Sequence, residues 1–141
     1  MEFSQIPSNR LSEVWGALLP YIERALQYSD DESEPEDLYV SIALGDMQLW
    51  AVHEGTDTKA VGVTMLVDFP NYRICRIVLF AGNGLKDMLP LLPKFEQWAI
   101  SQGCAKIDWQ GRKGFERIMQ RYGYEPTYVV MRKHLIIETL H

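Results

Sequence analysis

The chain has 141 residues, of which 47% are hydrophobic and 23% are charged, and its formal net charge is −5. This length predicts a single domain covering residues 1–141, and the composition excludes an intrinsically disordered chain. The acidic balance argues against nucleic acid as a partner. No apolar run approaches the ~18 residues that a membrane span needs, and the first residues lack a signal-peptide layout, so we expect a cytoplasmic protein without a membrane partner.

Two helices are predicted first. Apolar residues recur at helical spacing over residues 10–28, which predicts an amphipathic helix. Pro20 lies in its middle, where the ring opposes the carbonyl four residues back, so we expect a kink or a break there. Ser33 and Glu36 then have the spacing of a capping box, and Gly45 is placed to end a short second helix.

Three strands follow these helices. Residues 47–53, 61–67 and 73–80 are rich in β-branched and aromatic side chains, the composition that strands favour. Polar turn residues separate them at 54–60 and 68–72. Neighbouring strands joined by such short turns are expected to run antiparallel.

The second half of the chain alternates helix and strand. Helical spacing covers residues 85–103, with two prolines near its start, and a short strand is predicted at 104–109. A helix over 111–123 and one long strand or a bulged pair of strands over 128–140 complete the order α, α, β, β, β, α, β, α, β. This order predicts an α/β fold with a mixed, largely antiparallel sheet and helices on both faces.

The stretch Gly82-Asn83-Gly84 lies between the third strand and the next helix. Glycine lets a backbone approach a ligand closely, and the unpaired N–H groups of a helix's first turn attract an anion. The same glycines also suit a tight turn with no ligand. The sequence leaves these two interpretations open.

This arrangement resembles the GCN5-related N-acetyltransferase (GNAT) superfamily over nearly the whole chain. The family has an Arg/Gln-x-x-Gly-x-Gly/Ala loop after a central strand, and Gly82 and Gly84 match its end. It often shows Asn-x-x-Ala-x-x-Phe-Tyr-x-x-x-Gly-Phe before the final strands, and Gly123-Tyr124 matches that end. Residues 111–133 are also similar to short GNAT-like proteins of tailed phages and prophages. That likeness is carried by Gly111, Arg112, Gly114, Phe115, Arg117, Gly123 and Tyr124.

Two positions depart from the family pattern. Leu79 stands where the loop motif has Arg or Gln, and Met119 stands where the second motif has the Tyr that often protonates the departing thiolate. A thioether cannot donate that proton. These departures favour a GNAT-like protein without catalysis.

The resemblance implies acetyl-CoA, or CoA, as co-substrate. Its binding residues are then expected at the loop after the third strand and at a cationic pair further on. They are Phe80, Ala81, Gly82, Asn83, Gly84, Leu85, Lys86, Arg112 and Lys113. The family's acetyl transfer to an amine needs a base for the ammonium proton and an acid for the thiolate. The candidates are Glu54, Asp68 and Asp108 for the base and Tyr124 for the acid.

Two functions therefore stay open. The first is an acetyl-CoA-dependent N-acetyltransferase acting on a small-molecule or protein amine, which the acidic stretch at 30–37 would attract. The second is a catalytically inactive phage protein that serves virion assembly or host interaction through a phage structural partner, in the host cytoplasm or the virion. A homodimer is left open. Cys75 and Cys104 are isolated, so neither a disulfide nor a metal site is predicted.

Overall fold

The computed structural model describes residues 2–28, 32–82, 88–111 and 113–136. Five strands in these ranges form one sheet in the order β1-β2-β3-β4-β5. They are β1 (Glu2–Ile6), β2 (Met47–Glu54), β3 (Asp57–Asp68), β4 (Arg73–Ala81) and β5 (Lys106–Trp109). The first three pairings are antiparallel and β4 pairs with β5 in parallel, so the sheet is mixed, as predicted.

The helices in the described ranges are α1 (Leu11–Leu26), α2 (Pro35–Ala43), α3 (Leu92–Ser101) and α4 (Glu116–Gln120), with 3-10 turns at Ser8–Arg10, Leu89–Leu91 and Lys113–Phe115. None of these helices combines the length and the apolar composition needed to cross a bilayer. The residues group into two compact units, Met1–Gly111 and Arg112–His141, which we describe separately. The single domain over 1–141 stays a prediction.

Strand β1 and the start of β3 are absent from the sequence prediction. β1 is only five residues long and becomes a strand by pairing along β2, with Phe3 opposite Val52. β3 begins at Asp57 rather than at residue 61, because Gly55 has a φ of 63° and allows a two-residue turn after Glu54.

One face of the sheet is covered by α1 and α2. Leu18 and Ile22 of α1 and Leu38 of α2 are fully buried against Leu49 and Val63 of the sheet. Of the kink or break predicted at Pro20, the break is wrong, because α1 continues through this residue; the kink stays a prediction. Pro20 is exposed, so the carbonyl that loses its N–H partner lies on the solvated side of the helix.

The start of α2 differs by one residue from the prediction. The helix begins at Pro35 with Glu34 as its N-cap residue. The carboxylate of Asp37 accepts a hydrogen bond of 2.8 Å from the backbone N–H of Glu34. The Ser33 and Glu36 pair predicted for this role is therefore wrong, because the capping box is formed one residue later, by Glu34 and Asp37.

An aromatic cluster fills the space between α3 and the other face of the sheet. Phe95 and Trp98 of α3 contact Trp50 of β2 at ring-centroid distances of 5.4 and 5.1 Å, and Phe95 also contacts Phe3 at 5.1 Å. Gly62 makes room for this cluster, since a Cβ there would lie 3.3 Å from the Phe95 ring. The predicted helices on both faces are therefore confirmed.

The second unit contains α4 and an irregular segment. This helix, Glu116–Gln120, is shorter than the helix predicted over 111–123, and Gly123, with a φ of 88°, lies three residues after its end. The strand predicted over 128–140 is wrong for the described residues 124–136, which contain no helix or strand, and 137–140 lie outside the described residues. Val129, Met131 and Ile136 are 84–94% exposed. Residues with high strand propensity stabilise a strand by packing against a neighbouring strand. Their presence in this segment therefore does not by itself form a strand.

Replacing Gly16 by alanine is expected to stabilise the protein by about 0.5–1 kcal/mol. Gly16 lies exposed inside α1, and an added Cβ would meet no atom within 4 Å. The substitution therefore removes backbone freedom from the unfolded chain without a steric cost. Urea unfolding followed by circular dichroism measures the change; a loss of stability would contradict a regular helix at this position.

Candidate functional site

Strands β4 and β5 part halfway along β4. They pair only from Ile74 with Lys106 to Ile77 with Trp109. β4 continues to Ala81, and in the described ranges no strand lies beside this end on the side away from β3. We call the region bounded by residues 78–81 and Trp109 the β4–β5 opening.

A β-bulge lies where the strands part. The pairing of β3 with β4 passes from Thr64 with Ile77 to Val63 with Leu79, so Val78 has no partner in β3. A bulge bends its strand and increases the local twist. The bend therefore begins at the residue after the last β4–β5 pair.

The opening leaves main-chain groups of β4 for a ligand. N–H and C=O groups along a strand point alternately to its two sides, and each needs a hydrogen-bond partner when it is removed from water. Over residues 78–81 the groups that point away from β3 face no described strand. An extended molecule with amide groups can pair with such an edge as an added strand does.

Phe80 and Ala81 form the end of β4 at this opening, opposite Gly62 and Val61 of β3. Leu79 belongs instead to the buried core between the sheet and α1 and α2. This position, where the family motif has Arg or Gln, is therefore a core position in this chain. Its apolar side chain is explained by packing.

Gly82 follows β4 directly. Its φ lies outside the left-handed region, so a positive φ is not the reason for glycine here. A Cβ at this position would lie 3.0 Å from the Cβ of Ala60 and 3.4 Å from the carbonyl oxygen of Lys59. Close packing on β3 therefore favours glycine, because any side chain would force Ala60 to shift by a few tenths of an ångström. Asn83, Gly84, Leu85, Lys86 and Arg112 lie outside the described residues, as does the side chain of Lys113, and their anion-binding role stays a prediction.

Asp108 lies at the base of the opening, one residue before β5 ends. Its two carboxylate oxygens accept hydrogen bonds of 3.0 Å from Nε and Nη2 of Arg76, the residue beside it in β4. Such a bidentate pair fixes both side chains. The carboxylate is therefore committed to holding β4 and β5 together, and its role as a base stays a prediction.

Replacing Arg76 by methionine is expected to lower the free energy of unfolding by about 1.5–3 kcal/mol, because two charge-assisted hydrogen bonds are lost and Asp108 keeps an unpaired charge. The Arg76 side chain is only 19% exposed. Arg10 provides the matched control, since its pair with Glu13 is 62% and 64% exposed, and replacing it by methionine should cost below about 0.5 kcal/mol. Equal losses in urea unfolding would contradict a structural role for the Arg76 pair.

The other predicted carboxylates lie elsewhere. Asp68 pairs with Arg73 at 2.6 Å at the start of β4, roughly 13 Å along the strand from Ile77 at about 3.3 Å per residue. The hydrogen bond from Arg73 lowers the pKa of Asp68. Glu54 is exposed at the β2–β3 turn. The structure does not bring Glu54, Asp68 and Asp108 together, and Tyr124 belongs to the second unit.

An acidic pocket of about 370 Å³ lies between the end of α1 and the start of α2. Glu23, Glu34 and Glu36 line it, together with Leu26 and Ser33. Three carboxylates in one concave surface favour a cationic ligand. The sequence predicted the acidic stretch but not Glu23, because only the packing of the two helices places that residue beside the stretch.

Neither a protein-family model nor a curated protein matches the sequence. Solved structures that are similar in fold include the following three. The first is an aminoglycoside acetyltransferase from an uncultured soil metagenomic sample in complex with sisomicin, with a TM-score of 0.70, 11% identity and 96% of each chain covered. The second is a predicted acetyltransferase with acetyl-CoA from Clostridium acetobutylicum, with a TM-score of 0.69, 16% identity, and 94% of this chain and 95% of that chain covered. The third is a GNAT family acetyltransferase from Staphylococcus aureus, with a TM-score of 0.61, 14% identity, and 95% of this chain and 98% of that chain covered.

These similarities show that the chain has the fold of GNAT-family acetyltransferases. The resemblance inferred from the sequence is thus confirmed at the level of the fold. None of the three structures is described as a phage protein, so they give no support to a phage origin.

Proposed function

We propose that the protein is an N-acetyltransferase that uses acetyl-CoA, and the observation that carries this proposal is the β4–β5 opening within a GNAT fold. β4 passes its last pair with β5 at Ile77, bulges at Val78 and runs on to Ala81. A core residue, Leu79, faces away from the opening into the packing under α1 and α2. No strand of the described ranges therefore pairs with this end of β4 on the side away from β3.

The residues at the opening fit acetyl-CoA. When bound, that molecule supplies an activated acetyl thioester, and its extended arm contains amide groups that suit the main chain of residues 78–81. Phe80 and Ala81 line the strand end, and the N–H groups predicted over 83–86 suit its phosphates. The similar Clostridium acetobutylicum protein is described with acetyl-CoA.

The acceptor is a cationic amine. The acidic pocket of Glu23, Glu34 and Glu36 lies on the same unit as the opening, and its charge raises the local concentration of cations. The similar soil enzyme is described as an aminoglycoside acetyltransferase in complex with sisomicin, and aminoglycosides carry several ammonium groups. The acidic pocket and this similarity support a small polycationic amine as the proposed acceptor.

The chain's own residues hold the reactants and move protons. The pair of Arg76 and Asp108 keeps the base of the opening rigid, so that the main chain beyond Ile77 stays fixed in position. Met119 cannot serve as the acid, and Tyr124 keeps that predicted role. Glu54 is the predicted base whose carboxylate is exposed at the end of β2.

A thermal-shift titration with acetyl-CoA and CoA tests the proposal. A ligand that binds only the native state raises the unfolding midpoint. At a ligand concentration a hundred times the dissociation constant, it stabilises the native state by about 2.7 kcal/mol. Release of free thiol with a polycationic amine, compared with a neutral amine, then tests transfer. Binding without transfer, or no binding up to millimolar concentrations by folded protein, would favour the non-catalytic alternative.

A further inference from the structure

A second cleft lies at the far end of the sheet from the β4–β5 opening. It is bounded by the ends of α2 and α3, near Gly45 and Gln102, and by the start of β2 at Met47 and the end of β3 at Leu66. Leu66 pairs with Cys75, near the beginning of β4, whereas the opening begins at Val78. The cleft has a volume of about 360 Å³, which is enough for a small molecule.

The lining of this cleft is polar but uncharged. The amides of Gln5, Gln48 and Gln102 and the hydroxyl of Ser8 line it, together with Trp98 and other apolar side chains, and none of the described residues that line it is charged. Because 23% of the chain is charged, a lining without charges is a specific feature. Arg73 donates to the carbonyl of Gln102 over 3.1 Å, but its guanidinium is paired with Asp68. The lining side chains themselves therefore offer an ion no counter-charge, and this surface favours a neutral ligand.

A buried relay holds one of these amides. The indole Nε1 of Trp50 donates to the hydroxyl of Thr64, which in turn donates to Oε1 of Gln48, each over 2.9 Å. Thr64 is completely buried, and among the described residues it is the one polar residue that is buried. Burying a hydroxyl is costly unless it is hydrogen-bonded, and here both of its bonds serve to orient Gln48.

The relay determines what Gln48 offers to a ligand. Its oxygen is bound to Thr64, so the amide nitrogen is the end left to donate from the cleft wall. Gln5 and Gln102 add groups that both donate and accept. The half-buried ring of Trp98, held edge-to-face against Trp50 at 5.1 Å, adds apolar surface.

We propose that this cleft binds a neutral, hydroxyl-rich small molecule of the sugar class. Hydroxyl groups both donate and accept, which matches the mixed donors and acceptors of Gln5, Gln48 and Gln102, while the apolar face of a sugar ring suits Trp98. The site is separate from the proposed acetyl-CoA site, so either proposal can fail without the other.

The test is a titration of the isotopically labelled full-length chain with maltose, followed by the NMR signals of the indole and glutamine side-chain amides. We expect saturable shifts for Trp98 and Gln48. Gln48→Met should weaken maltose binding at least tenfold, about 1.4 kcal/mol, and Gln5→Leu, at an exposed strand position, should weaken it without affecting the fold. Gln120→Met, on α4 outside the cleft, is the matched control.

Charged relatives of the ligand complete the test. Glucosamine, a cation, and gluconate, an anion, should bind more weakly than maltose, and Gln48→Met should leave the response to acetyl-CoA unchanged. The proposal is overturned if maltose gives no saturable shift, if either charged sugar binds as well, or if Gln120→Met weakens binding as much as Gln48→Met and Gln5→Leu do.

Discussion

Replacing Phe95 by alanine is expected to lower the free energy of unfolding by about 3–5 kcal/mol, the range for truncating a buried aromatic residue. Phe95 is completely buried and contacts Phe3 and Trp50 edge-to-face at 5.1 and 5.4 Å. The ring packs closely against Gly62, since a Cβ at that position would lie 3.3 Å from the ring. Close-packed side chains relax only partly into such a cavity, so most of this cost is expected to remain.

Urea unfolding, followed by far-ultraviolet circular dichroism and tryptophan fluorescence, measures this effect. Phe69 is the matched control, because it is 42% exposed in the β3–β4 turn and its replacement by alanine should cost less than about 1 kcal/mol. If the Phe95 and Phe69 variants lost similar stability, the aromatic cluster between α3 and the sheet would not be the core described here.

Replacing Gly82 by valine is expected to weaken acetyl-CoA binding at least tenfold, about 1.4 kcal/mol. A Cβ at Gly82 would lie 3.0 Å from the Cβ of Ala60 and 3.4 Å from the carbonyl of Lys59, and the additional methyl groups of valine would crowd this contact further. Either Ala60 or the chain after Ala81 must then shift, and we expect a shift of the chain to displace the end of β4 that lines the opening. Isothermal titration calorimetry measures the affinity.

Gly16→Val provides the control for this second prediction. Gly16 is exposed in α1 with no atom within 4 Å of an added Cβ, so its affinity for acetyl-CoA should equal that of the unchanged protein. Unfolding curves for both variants separate a loss of binding from a loss of folded protein. Unchanged affinity in folded Gly82→Val protein would mean that the segment after β4 is only a turn and holds no cofactor.

Some residues of the candidate site were predicted from the sequence, and others were not. Asp108 was predicted as a candidate base in a short strand at 104–109. That strand, β5, pairs with β4, because strands joined by a helix in this order become parallel neighbours. Its partner Arg76 was not predicted, since facing across two strands depends on register and not on sequence spacing. Gly82 was predicted to lie in a ligand-binding loop or a tight turn because it is a glycine. The structure gives a different reason for glycine here, its close contact with Ala60, which no local sequence pattern reveals.

The sequence by itself determined the existence of the helices α1, α2 and α3, the strands β2, β4 and β5, the later part of β3, and the resemblance to the GNAT fold, because periodicity, caps and turns act over a few residues. The tertiary structure alone decided three other features: the strand character of β1, the irregular course of 124–136, and the bulge at Val78. Each depends on whether a partner strand lies alongside. The partner strand comes from a distant part of the chain, so the local sequence pattern does not indicate whether it is present.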